Sequence, residues 1–136
     1  MAIYKVVKVK TKNDLASRAS EQIISIIQAS LLQKERVQIA LSGGSTPSAI
    51  YKLLSKVDIP WHRVDVFLGD ERWVDSRDES SNSLMLRNTL LANYPGSFAC
   101  FHFVPTIELL NPESSAEYFQ RILDQKCSGS PPVFDL

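Results

Sequence analysis

Val37-Gln38-Ile39-Ala40-Leu41-Ser42-Gly43-Gly44-Ser45-Thr46-Pro47 is the stretch from which the rest of this chain is read. A short apolar run, Val-Gln-Ile-Ala-Leu, stops abruptly at a Ser-Gly-Gly-Ser-Thr-Pro turn. Such a run bounded by glycine fits a buried strand. The residues after the turn have helical spacing: Ala49, Ile50, Leu53 and Leu54 are expected to face the core of a helix over residues 47–55. Thr46 suits the cap of that helix and Pro47 its first position. The stretch therefore predicts strand, glycine turn, helix.

The same order repeats outward. Residues 64–68, Val-Asp-Val-Phe-Leu, read as a second buried strand ending at Gly69-Asp70-Glu71-Arg72. Upstream, Leu15, Ala19, Ile23, Ile26, Ile27 and Leu31 recur at helical spacing, with Asn13 or Asp14 as the expected cap. Residues 3–9 alternate apolar and polar, which suggests a strand near a sheet edge. Downstream, Ser81 is expected to cap a helix reaching about Leu91, residues 101–104 to form a strand, and residues 112–126 to form a helix with Ala116, Phe119, Ile122 and Leu123 inward. Pro131-Pro132 breaks the chain, and Val133-Phe134-Asp135-Leu136 reads as the opening of one more strand. Strands alternating with helices argue for an α/β fold: an open, mostly parallel sheet with helices on both faces, here incomplete at the C-terminus. The expectation is a fragment of a longer domain, whose unpaired sheet edge leaves the isolated chain marginally stable or prone to associate.

Composition narrows the function. The 136 residues suffice for one core, with 44% apolar and 22% charged residues in an ordinary globular mix. Fifteen basic residues balance fifteen acidic ones, so no global field draws the chain to nucleic acid or membrane, and any anion site must be built locally. Cys100 and Cys127 sit at no metal-ligand spacing and read as reduced thiols. No apolar run approaches the ~20 residues of a membrane span, and the start has no signal-peptide pattern. A cytosolic protein is expected.

In sheets of this kind ligands bind beyond the carboxyl ends of the strands. Gly43 and Gly44 can adopt positive φ and let a ligand approach the backbone. Exposed N–H groups at a helix start, with the hydroxyls of Ser42, Ser45 and Thr46, make an anion site matched to a phosphate ester. The segment is neither a Walker A loop nor GxGxxG. Spacing alone leaves open an ordinary turn with a Thr cap and no ligand. The turn Gly69-Asp70-Glu71-Arg72-Trp73 should open on the same rim. Arg72 offers a planar fork for phosphate or carboxylate, and Asp70 can accept hydrogen bonds from sugar hydroxyls. Glu71 is expected to pair with a neighbouring Lys or Arg, and the three charges could equally form a solvated loop. Asn82 either serves only at a helix start or turns its amide to the cleft. Trp61 and Trp73 read as packing residues, and neither His62 nor His102 is placed as a base.

Taken together, Ser42-Gly43-Gly44-Ser45-Thr46-Pro47, Pro60-Trp61 ahead of a strand, Asp70-Glu71-Arg72-Trp73-Val74, and Ser81-Asn82 with Leu90-Leu91 resemble the 6-phosphogluconolactonase family. The resemblance spans nearly all of the chain and implies a Rossmann-like sheet. It also implies a cytosolic enzyme of the pentose phosphate pathway that hydrolyses 6-phosphogluconolactone to 6-phosphogluconate without metal or nucleotide. Its partner would be the phosphorylated sugar lactone. Gly43, Gly44, Ser45 and Thr46 would fall in the substrate-holding segment, Asp70 and Arg72 would match polar residues lining the site, and Asn82 would match a position close to it. The wider superfamily includes glucosamine-6-phosphate deaminases, which share the glycine turn but carry Tyr where this chain has Arg72. A non-catalytic sugar-phosphate-binding fragment is the other alternative. In the family a Phe-Asp-Leu strand leads to an Asp-Gly-His turn whose His is the presumed base. Here the sequence stops at Phe134-Asp135-Leu136, so the expected catalytic His lies beyond Leu136 and these 136 residues alone are expected to be nearly inactive.

Overall fold

A computed structural model describes residues 3–136. Four helices, α1 (Lys12–Leu31), α2 (Ser45–Leu54), α3 (Asn82–Arg87) and α4 (Pro112–Lys126), alternate with three strands, β1 (Val37–Leu41), β2 (Val64–Leu68) and β3 (Cys100–His102). The strands form one parallel sheet in the order β1-β2-β3. In β1 and β2 the residues stand level from Val37 opposite Val64 to Leu41 opposite Leu68. The α/β class and the parallel sheet are as expected.

The pleat sorts each strand into two faces. Val37, Ile39, Leu41, Val64, Val66 and Leu68 share one face and pack against Ile27 of α1, Tyr51 and Leu54 of α2, and Leu86 of α3. Trp61, fully buried, closes this core as a packing residue and donates its indole N–H to the Val57 carbonyl at 2.9 Å. Phe67 lies on the other face, edge-on to Phe119 of α4 at 6.2 Å and to Phe134 at 5.6 Å. Helices thus cover both faces. Beyond β1, the chain runs along the free edge of the sheet: Asp135 N–H donates to the Gln38 carbonyl at 2.8 Å, and Ala40 N–H to that of Leu136 at 2.9 Å.

Several expectations are corrected. Residues 3–9 form no strand; Ile3 is 98% exposed and Tyr4 84%. Among the described residues the edge beside β1 is taken by Asp135 and Leu136, and β3 has only three residues to offer on the other side. Thr11 rather than Asn13 or Asp14 caps α1, because its hydroxyl accepts the Asp14 N–H while the Asp14 carboxylate accepts the Thr11 N–H, a reciprocal box. α3 ends at Arg87, well short of Leu91: the Thr89 hydroxyl bonds back to the Met85 carbonyl at 2.7 Å and Leu91 N–H closes on the Leu86 carbonyl at 3.0 Å. β3 starts at Cys100 and stops at His102, ahead of Pro105, which has no N–H to give a ladder. Ala49 and Ala116, expected inward, are exposed.

Candidate functional site

The glycine turn lies at the carboxyl end of β1. Gly44 has φ 115°, a left-handed conformation that a side chain disfavours, and it is the residue before the first helical position of α2. Ser45, Thr46 and Pro47 are therefore the first three helical residues. This corrects the expected cap at Thr46: the helix starts earlier, because the glycine itself makes the bend. The first helical bond runs from Ser48 N–H to the Gly44 carbonyl at 3.0 Å. Among the described residues no side chain caps α2, so the N–H groups of Ser45 and Thr46 retain their donors, as is usual in the first turn of a helix. Behind the turn, the buried Tyr51 hydroxyl fixes Ser42 by accepting its N–H at 3.1 Å and donating to its carbonyl at 2.9 Å.

The second turn follows β2. Gly69 N–H donates to the Leu41 carbonyl at 2.9 Å and ties it to the first. Glu71 makes no ion pair with Lys or Arg among the described residues, contrary to expectation. One carboxylate oxygen accepts the N–H groups of Arg72 and Asn82, both at 2.8 Å. The other accepts the Ser83 N–H at 2.8 Å and the Ser81 hydroxyl at 3.1 Å. Burial would raise its pKa, yet these bonds hold it below the ordinary value. Arg72 donates to the Ser80 carbonyl at 3.1 Å and stands 3.9 Å from an Asp70 oxygen, with its side chain about half exposed.

Asn82 joins the two turns. Its amide nitrogen donates to the Asp70 carbonyl at 3.1 Å and to the Asp70 carboxylate at 3.3 Å. Its amide oxygen lies against Gly43 so closely that a Cβ on that residue would stand 2.1 Å away. Gly43 is thus required for close approach, where Gly44 is required for conformation. Gly44, Ser45, Ser48, Arg72, Glu79 and Asn82 all line one cleft of about 310 Å³. Three of the expected residues do not line it: Gly43, which lies against the Asn82 side chain, Thr46 and Asp70. Thr46 lines a separate hollow with Lys12 and Leu15 of α1. Asp70 lines a neighbouring hollow of about 300 Å³ with Trp73, Val104 and Phe119, and touches the cleft through Asn82 and Arg72. Ser48 and Ser81 were not among the expected site residues; Ser48 lies one helical turn beyond Ser45 and could have been placed by that spacing.

A second polar cluster lies toward the other end of the sheet. Asp65, buried in β2, accepts two bonds from Arg36 at 2.8 and 2.9 Å and one from the Gln38 amide at 3.1 Å, and its carboxylate lies 2.8 Å from His102 Nε2. Burial acts to raise its pKa, but the Arg36, His102 and Gln38 bonds outweigh it and hold the group at about 2. His102 is thereby engaged away from the cleft, and His62 lies in the short turn ahead of β2. Neither histidine lines the cleft. Among the described residues no helix is long and apolar enough to cross a membrane.

Comparison with known proteins gives a consistent result. The family model for glucosamine-6-phosphate isomerases/6-phosphogluconolactonase matches residues 10–136. A 6-phosphogluconolactonase from Nostoc sp. is 34% identical over 120 residues, covering 88% of this chain and 50% of the relative. Another from Synechocystis sp. is 34% identical over 128 residues, covering 92% of this chain and 53% of the relative. The solved structure of a 6-phosphogluconolactonase from Shewanella baltica superposes with a TM-score of 0.81 at 29% identity, over 87% of this chain and 50% of that one. The chain spans about half the length of the curated relatives it matches.

Proposed function

The chain belongs to the glucosamine-6-phosphate isomerase/6-phosphogluconolactonase family, and from that premise we propose that the protein hydrolyses 6-phosphogluconolactone to 6-phosphogluconate. In this reading residues 1–136 are the N-terminal portion of a single lactonase domain and hold the substrate's phosphate. The observation that carries it is the uncapped start of α2 facing Arg72 across one cleft. A phosphate placed there takes N–H donors from Ser45 and Thr46, hydroxyl donors from Ser45 and Ser48, the positive end of the helix dipole, and the Arg72 guanidinium. Gly43 and Gly44 supply the room for that approach. Asp70 and Asn82 then stand at the sugar side with acceptors and donors for hydroxyl groups. Arg72, at the position where the deaminases of the superfamily carry Tyr, favours the lactonase over a glucosamine-6-phosphate deaminase.

Hydrolysis joins a water oxygen to the lactone carbonyl carbon, breaks the ring C–O bond, and returns a proton to the departing hydroxyl. A base must take the water's proton, a contribution of about 10²–10⁴-fold. That base is proposed to be the histidine of the turn that follows Phe-Asp-Leu in the family. The cytosol and the pentose phosphate pathway are the proposed setting. The test is the rate of 6-phosphogluconolactone opening by the complete protein against the spontaneous rate in buffer, with unphosphorylated gluconolactone as comparator. Acceleration confined to the phosphorylated lactone is expected. No acceleration, or ammonia release from glucosamine-6-phosphate instead, would overturn the reading.

A further inference from the structure

Glu71 has no part in the reaction just proposed, yet both of its oxygens are fully engaged at the rim of the cleft. We infer that Glu71 is a positioning residue: its carboxylate clamps the first turn of α3 to the turn after β2, and so holds the Asn82 amide between Asp70 and Gly43. This rests on the cleft being the phosphate site.

The chain of contacts is direct. Glu71 accepts the N–H groups of Arg72, Asn82 and Ser83 at 2.8 Å each and the Ser81 hydroxyl at 3.1 Å. All four partners are donors, two to each oxygen, so only a group that accepts at both ends fits. Glutamine would turn an NH₂ toward two donors; aspartate is one methylene too short to span both turns. Asn82, fixed through its own N–H, is buried, lines the cleft and touches both turns behind it. It donates to the Asp70 carbonyl and carboxylate, and it fills the space that a side chain on Gly43 would need. Glu71 also holds the backbone of Arg72, the cleft's cation. One carboxylate therefore registers the cation and the amide against the glycine turn.

Electrostatics and positioning make opposite predictions. A negative charge beside an anion site repels the anion, so neutralising Glu71 should tighten phosphate binding if charge were all that mattered. If Glu71 positions the wall, neutralising it should weaken binding. Titration of the complete protein with 6-phosphogluconate and with inorganic phosphate decides between them, using Glu71→Gln, Glu71→Asp, Asn82→Ala and the double variants. We expect Glu71→Gln and Glu71→Asp each to raise Kd about tenfold, the scale of coupling between residues in contact. In the Asn82→Ala background the same changes should then act less than about twofold, because the residue they work through is gone. Glu71→Asp keeps the charge and carries the test if the Gln variant does not fold. Tighter or unchanged binding in both variants, or an undiminished effect without the Asn82 amide, would overturn the inference. A wild-type protein that shows this coupling but opens no lactone overturns the lactonase reading alone; one that binds neither ligand overturns both.

Discussion

The N-termini of α2 and α3 face the same cleft and are finished in opposite ways. α3 starts behind Ser81, whose hydroxyl accepts the Leu84 N–H at 3.2 Å, and the Glu71 carboxylate takes the N–H groups of Asn82 and Ser83. α2 starts behind Gly44 and has no side-chain cap at all. Every helix start presents unpaired N–H groups and the positive end of a dipole. At α3 an internal carboxylate occupies that position, which makes the helix end a fixed wall. At α2 the glycine brings no side chain to it, and a cation stands across the gap. In the proposed reading one rim holds both a support and a receptor: the anion at α3 is built into the chain, and the substrate's phosphate would supply the one at α2.

Gly43→Ala should break this comparison most severely. A methyl there would lie 2.1, 2.6 and 2.8 Å from three atoms of the Asn82 side chain. Asn82 must leave its place, and the wall and the turn lose their registry together. The complete protein should lose about 100-fold in kcat/KM, the scale of an ångström-sized misplacement. Kinetics near wild type would mean the contact does not set the cleft. Arg72→Ala should come next, removing the cation opposite α2 and weakening 6-phosphogluconate binding about 10- to 100-fold, as for a lost charged hydrogen bond. Its melting temperature should move little, since the half-exposed side chain makes one exposed hydrogen bond, to the Ser80 carbonyl, and a long pair with Asp70. Arg72→Lys should restore part of the loss, because a point charge replaces a fork.

Much of this architecture is legible in the sequence. An apolar run ended by glycine is a local signal, so β1 and β2 are bounded correctly from it, and the residues of both turns follow from their place at strand ends. The features that escape such a reading depend on partners distant in sequence. The donors that surround Glu71 come from residues 10 to 12 positions downstream, except for Arg72, and nothing local announces them. Thr-Pro is a good helix start and points to a cap at Thr46, but the positive φ of Gly44 moves that start upstream. Residues 3–9 alternate as a strand should, yet alternation supplies no partner edge. The Asp65 cluster does leave a signal. Gln38 and Asp65 are polar residues inside apolar strands, and they stand level in the parallel register. A polar group buried in a strand needs a partner, so the pair could have been matched.

Acid should undo one helix end and spare the other. The folded-state pKa of Glu71 lies below its ordinary value. Its contribution to stability is thus present above the ordinary carboxylate range and is lost as pH falls through the folded value. Melting measured across that range should drop more steeply for wild type than for Glu71→Gln, which has no carboxylate to protonate at this position. Parallel curves would show that the charge of Glu71 is not what holds α3.

Ser81→Ala should give the smallest effect and sharpen the contrast most finely. The hydroxyl accepts one bond, from Leu84 N–H, and donates one, to Glu71. Losing it leaves Leu84 N–H without that acceptor, while Glu71 keeps the three backbone N–H groups of Arg72, Asn82 and Ser83. The expected cost is about 1 kcal/mol of stability, the usual value of a helix cap. Because Asn82 is still held through its own N–H, 6-phosphogluconate binding should weaken less than in Glu71→Gln. Denaturant melts and ligand titration of the two variants side by side separate cap from clamp. If Ser81→Ala weakened binding as much as Glu71→Gln, the hydroxyl would be holding the α3 end in place, and the filled terminus would be an ordinary capped helix with a carboxylate resting on it.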